Sequence, residues 1–223
     1  MATVTIDHYS DLLCVWAYIA HARTVELQAQ YPDSIDWRWH YLSVFGDVQT
    51  KFKDQWQERG GSAGYAAHVL DVLQDFDHVV INPDCWTRVQ PASSAPAHLW
   101  LAAVRLQEGR GELSPRSEET FAWHLRRAFF RDAADIGSQD ELVAQASQCG
   151  FEPQPLLDRI NDGSAFAVLC QDMLGARQSD ISVSPTYVFN NGRQRLTGNV
   201  GYRIIEANVK ELLEQPHKQQ SWC

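Results

Sequence analysis

Residues 4–20 read Val-Thr-Ile-Asp-His-Tyr-Ser-Asp-Leu-Leu-Cys-Val-Trp-Ala-Tyr-Ile-Ala, and the organisation of the chain follows from them. The alternating, β-branched run Val4–Tyr9 predicts a strand, and Trp16–Ala29 carries apolar residues at helical spacing. Pro32 ends that helix, after which residues 35–41 alternate with a period of two and predict a second strand. Two strands joined by one helix predict a parallel β-α-β unit with a right-handed crossover.

The last forty residues have a different pattern. Pro185 precedes the strand-like run Thr186–Asn190, and Asn191-Gly192 is a strong hairpin signal because both residues tolerate a positive φ. A second strand is predicted over about 194–197, followed by an amphipathic helix that ends at Pro216. This half reads β-β-α.

The middle of the chain is predicted to be almost wholly helical. Ser138 and Glu141 have the spacing of a capping box, and Ser114-Pro115 indicates a helix with proline at its first position. Further helices are predicted over about 65–73, 97–108 and 164–174.

These patterns predict an α/β fold: a mixed four-stranded sheet, built from the β-α-β and β-β-α halves, with a large all-helical insertion. The predicted boundaries are 1–44 for the first half of the sheet domain, 45–179 for the insertion, 180–217 for the second half and 218–223 for a tail.

Composition narrows the functional classes. Nineteen Lys and Arg against 28 Asp and Glu give a formal net charge of −9, and no basic cluster offers a nucleic-acid-binding face. The longest apolar stretches are well short of the roughly 18 residues that a membrane helix needs. The start of the chain has neither the positive charge nor the apolar core of a signal peptide, which predicts a cytoplasmic protein. We therefore expect neither nucleic acid nor membrane as a partner.

The cysteines predict free thiols. Their number, five, is odd, their spacings are wide, and there is no C-x-x-C motif. Neither a disulfide framework nor a metal site is therefore expected. Cys14 is the candidate nucleophile, because amides and dipole at a helix N-terminus should depress its pKa. The alternative is a small buried hydrophobe. The other four are interpreted as packing, core or incidental residues: Cys85, Cys149, Cys170 and Cys223. Ser10 and Asp11 are interpreted as turn formers and His8 as a structural histidine.

The stretch Ile6–Ala20 resembles the strand, active-site turn and first helix of the DsbA-like branch of the thioredoxin superfamily. That branch includes FrnE-type oxidoreductases, 2-hydroxychromene-2-carboxylate isomerases and kappa-class glutathione transferases. Ser184-Pro-Thr186 is similar to its cis-proline loop, and Leu196–Tyr202 to the turn before the last helix. Ala97-His-Leu99 and Phe129-Phe-Arg131 extend the resemblance through the insertion. It implies a thioredoxin-like sheet and places Cys14, Trp16, Ser184 and Pro185 at the active site.

One position departs from the dithiol pattern. Where dithiol members have Cys-Pro-Trp-Cys, this chain has Cys14-Val-Trp-Ala17, so the resolving thiol is replaced by a methyl group. A dithiol enzyme needs that second thiol to release its mixed disulfide. The resemblance implies a cis Ser184–Pro185 bond, and an exposed Ser184 backbone there suits a cysteinyl peptide such as glutathione.

Three functional hypotheses remain open at this point. The leading one is a single-thiol oxidoreductase that exchanges with glutathione or small disulfides, with no tightly bound cofactor and glutathione as co-substrate. The second is a glutathione-dependent isomerase or transferase in which Cys14 steers the glutathione sulfur. The third is a binding or chaperone-like module that has lost turnover, which the residue Ala17 favours. Members of the branch are often dimers, so the resemblance allows a homodimer.

Overall fold

The computed structural model describes residues 3–214 and has a four-stranded sheet with helices on it. The strands are β1 (Val4–Ser10), β2 (Ile35–Tyr41), β3 (Thr186–Phe189) and β4 (Gln194–Thr197). The helices are α1 (Val15–Gln30), α2 (Val48–Trp56), α3 (Gly61–Leu73), α4 (Ala95–Gly109), α5 (Ser117–Phe130), α6 (Gln139–Gln148), α7 (Pro153–Asn161), α8 (Ser164–Gln178) and α9 (Tyr202–Glu214). Pro216, Cys223 and the predicted tail lie outside the described residues.

The sheet has the predicted mixed topology. Its order is β2-β1-β3-β4, with β1 and β2 parallel and the β1–β3 and β3–β4 pairs antiparallel. Ile6 lies opposite Trp37 on one side and Phe189 on the other. The β-α-β and β-β-α halves, far apart in sequence, therefore form one sheet, and the predicted fold class is confirmed.

The two faces of the sheet are covered by different helices. On one face, α1 and α9 pack over a cluster of buried apolar side chains: Val4, Ile6, Leu27, Tyr187, Phe189, Ile205, Val209 and Leu212. On the other face, the C-terminal end of α8 covers a smaller cluster that contains Tyr9, Leu42 and Val188. The alternation of side chains along β1 produces this division, because successive residues of a strand point to opposite faces.

Helices α2–α8 form the insertion, in which α4 packs against α5, α7 and α8. Its core is rich in aromatic side chains, including the fully buried Trp86 and Phe129. Within residues 3–214, no helix is both long enough and apolar enough to cross a membrane.

Several local predictions about the helices are wrong. The Ser138 side chain makes no capping hydrogen bond to α6, so the predicted capping box does not form. Helix α5 starts at Ser117, after Arg116 with φ 69°, and not at Pro115. Helix α2 was not predicted, although Asp47 caps it by accepting a hydrogen bond from the Thr50 amide.

A buried ionic network joins the insertion to the sheet. His40 on β2 lies 3.0 Å from an Asp7 carboxylate oxygen and 2.8 Å from one of Asp172 on α8. The Arg105 guanidinium of α4 pairs with Asp172 at 3.1 Å and with Glu118 of α5 at 2.8 Å. Burial opposes the positive charge on His40, but hydrogen bonds to Asp172 and Asp7 outweigh it and raise the His40 pKa. The network therefore holds three insertion helices against the edge of the sheet.

Candidate active site

Cys14 lies where the sheet meets the first helix. A tight turn follows β1, closed by the hydrogen bond from the Cys14 amide to the Asp11 carbonyl oxygen at 3.2 Å. Cys14 then forms the N-cap of α1, and the amides of Trp16 and Ala17 in its first turn favour a negative charge on the Cys14 sulfur. The residue is only 6% exposed. The turn thus presents the thiol at a helix N-terminus but keeps it under cover.

The loop before β3 meets Cys14 directly. The Ser184–Pro185 peptide bond is cis, and both residues are buried. The Cys14 thiol donates to the Ser184 carbonyl oxygen at 3.3 Å, while the Ser184 hydroxyl oxygen accepts from the Asp11 amide at 2.9 Å. The structure therefore brings together Cys14, Ser184 and Pro185, which the sequence analysis placed in one site.

Trp16 occupies a different position from these three. Its half-buried indole packs edge-on against Phe76 of the insertion, with the ring centres 6.2 Å apart. Its amide is the part of the residue that favours a negative charge on the Cys14 sulfur. The Trp16 side chain therefore joins α1 to the insertion through Phe76.

The expected depression of the Cys14 pKa is wrong. Burial raises the pKa of this thiol, and the negative charge of Asp11 adds to the rise. Hydrogen bonding with Ser184 and with the amides of Ala17 and Trp16 acts in the opposite direction but is outweighed. The helix N-terminus is present as expected, yet the loss of water around a charged sulfur is the larger effect. Cys14 therefore rests as a thiol at neutral pH.

Asp11 is more than the turn former that the sequence suggested. Its side chain is fully buried, and its carboxylate accepts from the Leu13 amide at 2.9 Å and the Phe45 amide at 2.8 Å. It also accepts from the Ser94 hydroxyl at 2.9 Å. Asp11 thus ties the active-site turn to the loop after β2 and to the start of α4. An acidic residue three positions before a candidate helix-start cysteine was the available signal, but its partners are remote in sequence.

His98 was another missed residue. Its Nε2 accepts from the Leu12 amide at 3.2 Å, and its ring stacks on Tyr41 with the centres 5.1 Å apart. Burial lowers the His98 pKa, although the Asp11 carboxylate opposes that shift. A neutral imidazole that accepts through Nε2 carries its proton on Nδ1. His98 therefore supports the turn as a hydrogen-bond acceptor and not as a cation.

The insertion also places a lysine near the thiol. The Lys51 ammonium of α2 lies 4.7 Å from the centre of the Phe45 ring and interacts electrostatically with Asp11 and Cys14. Burial lowers the Lys51 pKa, and the two anionic groups counter that effect. Tyr65 of α3 is also close enough for the charge of Cys14 to raise its pKa, although burial is the larger cause.

The other described cysteines do not partner Cys14: among residues 3–214, Cys14, Cys85, Cys149 and Cys170 are all free. The Cys85 thiol donates to the Phe129 carbonyl oxygen at 2.9 Å, and burial raises its pKa to about 12. Cys149 and Cys170 are both half-buried; Cys149 packs against the core of the insertion, and burial raises its pKa to about 11. No group of His, Cys, Asp or Glu in the described part of the chain has a metal-binding arrangement.

The sheet, the cis-proline loop and a cysteine at the start of α1 define a protein of the thioredoxin fold. The chain belongs to the DSBA-like thioredoxin domain family, whose model matches residues 5–210. The resemblance seen in the sequence is therefore confirmed at the level of the family.

Solved structures with the same fold have diverse activities. A Nitrosomonas europaea protein assigned as a protein disulfide isomerase superposes with a TM-score of 0.78 at 16% identity, covering 97% of this chain and 100% of that one. Cytosolic disulfide reductase DsbM from Pseudomonas aeruginosa gives 0.66 at 15% identity, covering 92% and 98%. 2-Hydroxychromene-2-carboxylate isomerase gives 0.64 at 14% identity, covering 97% and 100%. At these identities the likeness establishes the fold alone.

A curated relative matches part of the chain. The ClpXP adapter protein SpxH of Halalkalibacterium halodurans is 23% identical over 152 residues, which are 66% of this chain and 48% of that protein. The match therefore spans about half the length of this relative.

Proposed function

We propose that this protein catalyses thiol–disulfide exchange through the single thiol of Cys14, with glutathione or a small disulfide as its exchange partner. The observation that carries the proposal is the contact of Cys14 Sγ with the Ser184 carbonyl oxygen at 3.3 Å, at the N-terminus of α1. This contact places the sulfur beside the loop whose backbone suits an extended cysteinyl peptide.

The exchange proceeds in two balanced steps. The Cys14 thiolate attacks one sulfur of a disulfide, forms a mixed disulfide with that half, and releases the other half as a thiolate that takes up a proton. Because Ala17 offers no second thiol, an external thiolate must attack the substrate sulfur of the mixed disulfide, which releases Cys14 as a thiolate and leaves a disulfide between the substrate and the external thiol. Glutathione is the proposed external thiol, and the related DsbM has been solved with GSH bound.

The surroundings support a small, anionic partner. Lys51 is a cation that interacts electrostatically with Cys14, and the amides at the start of α1 also favour a negative charge on its sulfur. Both favour the thiolate that forms in each step and the carboxylates of a glutathionyl group. The cytoplasm, which maintains reduced glutathione, is the proposed location, and the similar DsbM is described as cytosolic.

The test is exchange between glutathione and a small mixed disulfide, with the Cys14 adduct detected by intact-protein mass spectrometry. We expect adduct formation and turnover in the native protein and in Cys85→Ser, and neither in Cys14→Ala. Cys85→Ser is a matched control because it also removes a buried thiol that donates to a carbonyl oxygen. Turnover that survives in Cys14→Ala would falsify the proposal.

One observation favours a second candidate, a glutathione-dependent isomerase or transferase. The raised pKa keeps Cys14 protonated, and a thiol hydrogen can be donated to the sulfur of bound glutathione. In that reaction Cys14 acts as a hydrogen-bond donor, a role that a serine hydroxyl can also perform. Cys14→Ser separates the two candidates, since it abolishes exchange but preserves glutathione-dependent isomerisation or conjugation.

A further inference from the structure

A buried arginine behind the active site has no carboxylate partner. Arg126 of α5 is 4% exposed, and its Nη2 donates to the Ser10 hydroxyl oxygen at 2.7 Å. Its Nε is buried and unpaired, and no ion pair within 4.0 Å involves it among residues 3–214. Arg105, by contrast, pairs with two carboxylates. Burying an unpaired guanidinium is unfavourable, so the position calls for an explanation beyond packing.

The arginine lies on the face of α5 that packs against α1. Trp123, three residues earlier, stacks on Tyr18 and His21 of α1, with ring centres 5.3 and 3.9 Å away. Phe130, four residues later, stacks on Tyr18 at 4.9 Å. Residues three and four apart share a helix face, so Arg126 points between α1 and the end of β1. Its hydrogen bond to Ser10 places the guanidinium at the end of β1, where the turn that presents Cys14 begins.

Most of the titratable groups around Arg126 carry no negative charge that could balance the guanidinium. The nearby imidazoles of His8, His21 and His98 have lowered pKa values, mainly through burial and also through the positive charge of Arg126, and the His21 value falls to about 3. Burial raises the pKa of Tyr41 and Tyr187, so both remain neutral. These groups are therefore uncharged near neutral pH.

Asp11 and Cys14 are the acidic groups that remain. Burial lowers the pKa of Arg126, and electrostatic interactions with Tyr41, Cys14 and Asp11 oppose that shift. Such an interaction is mutual, so the guanidinium favours a negative charge on Cys14. Asp11 already has three hydrogen-bond donors. A newly formed thiolate at Cys14 has the greater need of a nearby cation.

We infer that Arg126 is a positioning residue for the chemistry of Cys14: its buried guanidinium stabilises the thiolate that forms during exchange. The inference rests on the proposed function, since it requires Cys14 to react as a thiolate. Arg126 reaches the site through Ser10 at the end of β1, whereas Lys51 of α2 and Tyr65 of α3 also interact electrostatically with Cys14. Replacing Arg126 should lower the fraction of Cys14 that is ionised at a given pH. It removes no residue that contacts substrate.

The experiment measures the rate of Cys14 alkylation by iodoacetamide against pH, with labelled sites resolved by peptide mass spectrometry. Arg126→Gln removes the charge and retains a donor for Ser10, Arg126→Met removes both, and Arg126→Lys retains the charge. We expect the Gln and Met profiles to move to higher pH, with alkylation at pH 7 slower by about tenfold, the change that one pKa unit produces. The Lys profile should stay close to that of the native protein.

The matched control is Arg127→Gln, which removes an equal charge from the adjacent, half-buried position on α5. Its profile should not move. Thermal unfolding separates this role from a structural one, because replacing an unpaired buried charge by Met should leave stability unchanged or raise it. A folded Gln or Met variant with the native profile overturns the inference alone. A native Cys14 that stays unreactive at every pH overturns both this inference and the proposed exchange reaction.

Discussion

The thiol of Cys14 and the carbonyl oxygen of Ser184 lie 3.3 Å apart, although 170 residues separate them in sequence. The same serine accepts the Asp11 amide through its hydroxyl oxygen. One residue of the second half of the sheet domain therefore holds both ends of the active-site turn in the first half. The geometry of the site depends on how the two halves pair.

The first prediction concerns that serine. Ser184→Ala removes the acceptor of a buried amide, and an unsatisfied buried donor costs about 1–3 kcal/mol of unfolding free energy. Urea denaturation should show this loss, and exchange at Cys14 should slow because the turn is less firmly held. Ser182→Ala, at an exposed position of the same loop, is the control and should change neither quantity. A Ser184→Ala protein as stable as the native one would contradict the role of this hydrogen bond.

The sheet was predictable because its signals are local. Alternation along Val4–Ser10 and Ile35–Tyr41 reports which side chains face a core, and Asn191-Gly192 marks the hairpin. Helix boundaries in the insertion were less predictable. At α5, Arg116 adopts a positive φ and moves the start beyond Pro115, a choice that tertiary packing makes.

The support of the site was not predictable from the sequence. Asp11, His98 and Arg126 look like ordinary polar residues in sequence, since their partners lie on other elements. The sign of the Cys14 pKa shift was also missed. The position of a helix N-terminus, which lowers the pKa of a thiol, can be inferred from local pattern. The burial that raises the Cys14 pKa by more depends on how the insertion packs over the turn.

The second prediction is the pH dependence of exchange. Because the pKa of Cys14 is raised, the rate of mixed-disulfide formation in a single turnover should keep increasing above pH 8.5, roughly where a free cysteine is half ionised. Stopped-flow measurements against a small model thiol would test this. If the rate at Cys14 levels off at a lower pH than the rate of the model thiol does, the pKa of Cys14 is not raised.

The third prediction separates charge from structure at Asp11. Asp11→Asn removes a negative charge that raises the Cys14 pKa, so the exchange profile should move to lower pH. Its stability should fall, because one amide oxygen replaces the two oxygens that accept from Leu13, Phe45 and Ser94. Asp47→Asn, an exposed helix cap, should leave the profile in place. A profile that stays in place or moves to higher pH would contradict an effect of the Asp11 charge on the pKa of the thiol.

The fourth prediction concerns the network at His40. The raised His40 pKa means that its stabilising charge is fully present below the unfolded value of about 6.5 and is lost as pH rises through the folded value. Hydrogen bonds to His40 and charge from Arg105 overcome burial and lower the Asp172 pKa, so its contribution is lost as pH falls through that lowered value.

The network should therefore stabilise the protein most between these two values. Unfolding free energies of native protein and His40→Gln, measured in urea across pH, should differ most in that window and converge at higher pH. His68→Gln is the matched control for the loss of a half-buried ring, since His68 packs on Trp56 outside the network. A His40→Gln difference that grows with rising pH would reverse the sign and refute the assignment.

The last prediction restores a resolving thiol. Ala17 is buried in the first turn of α1, three residues after Cys14, and its amide donates to the Cys14 carbonyl oxygen at 3.1 Å. In Ala17→Cys, the new thiolate can attack the mixed disulfide at Cys14, form an internal disulfide and release the substrate thiol. Oxidation should then remove two titratable thiols, and the substrate half held in the mixed disulfide should be released without glutathione. Ala20→Cys adds a buried thiol one turn further along the same helix and should do neither, because it lacks the spacing. If both variants still need glutathione to release substrate, Ala17 is not what limits this protein to single-thiol chemistry, and the geometry around Cys14 must prevent resolution by any neighbour.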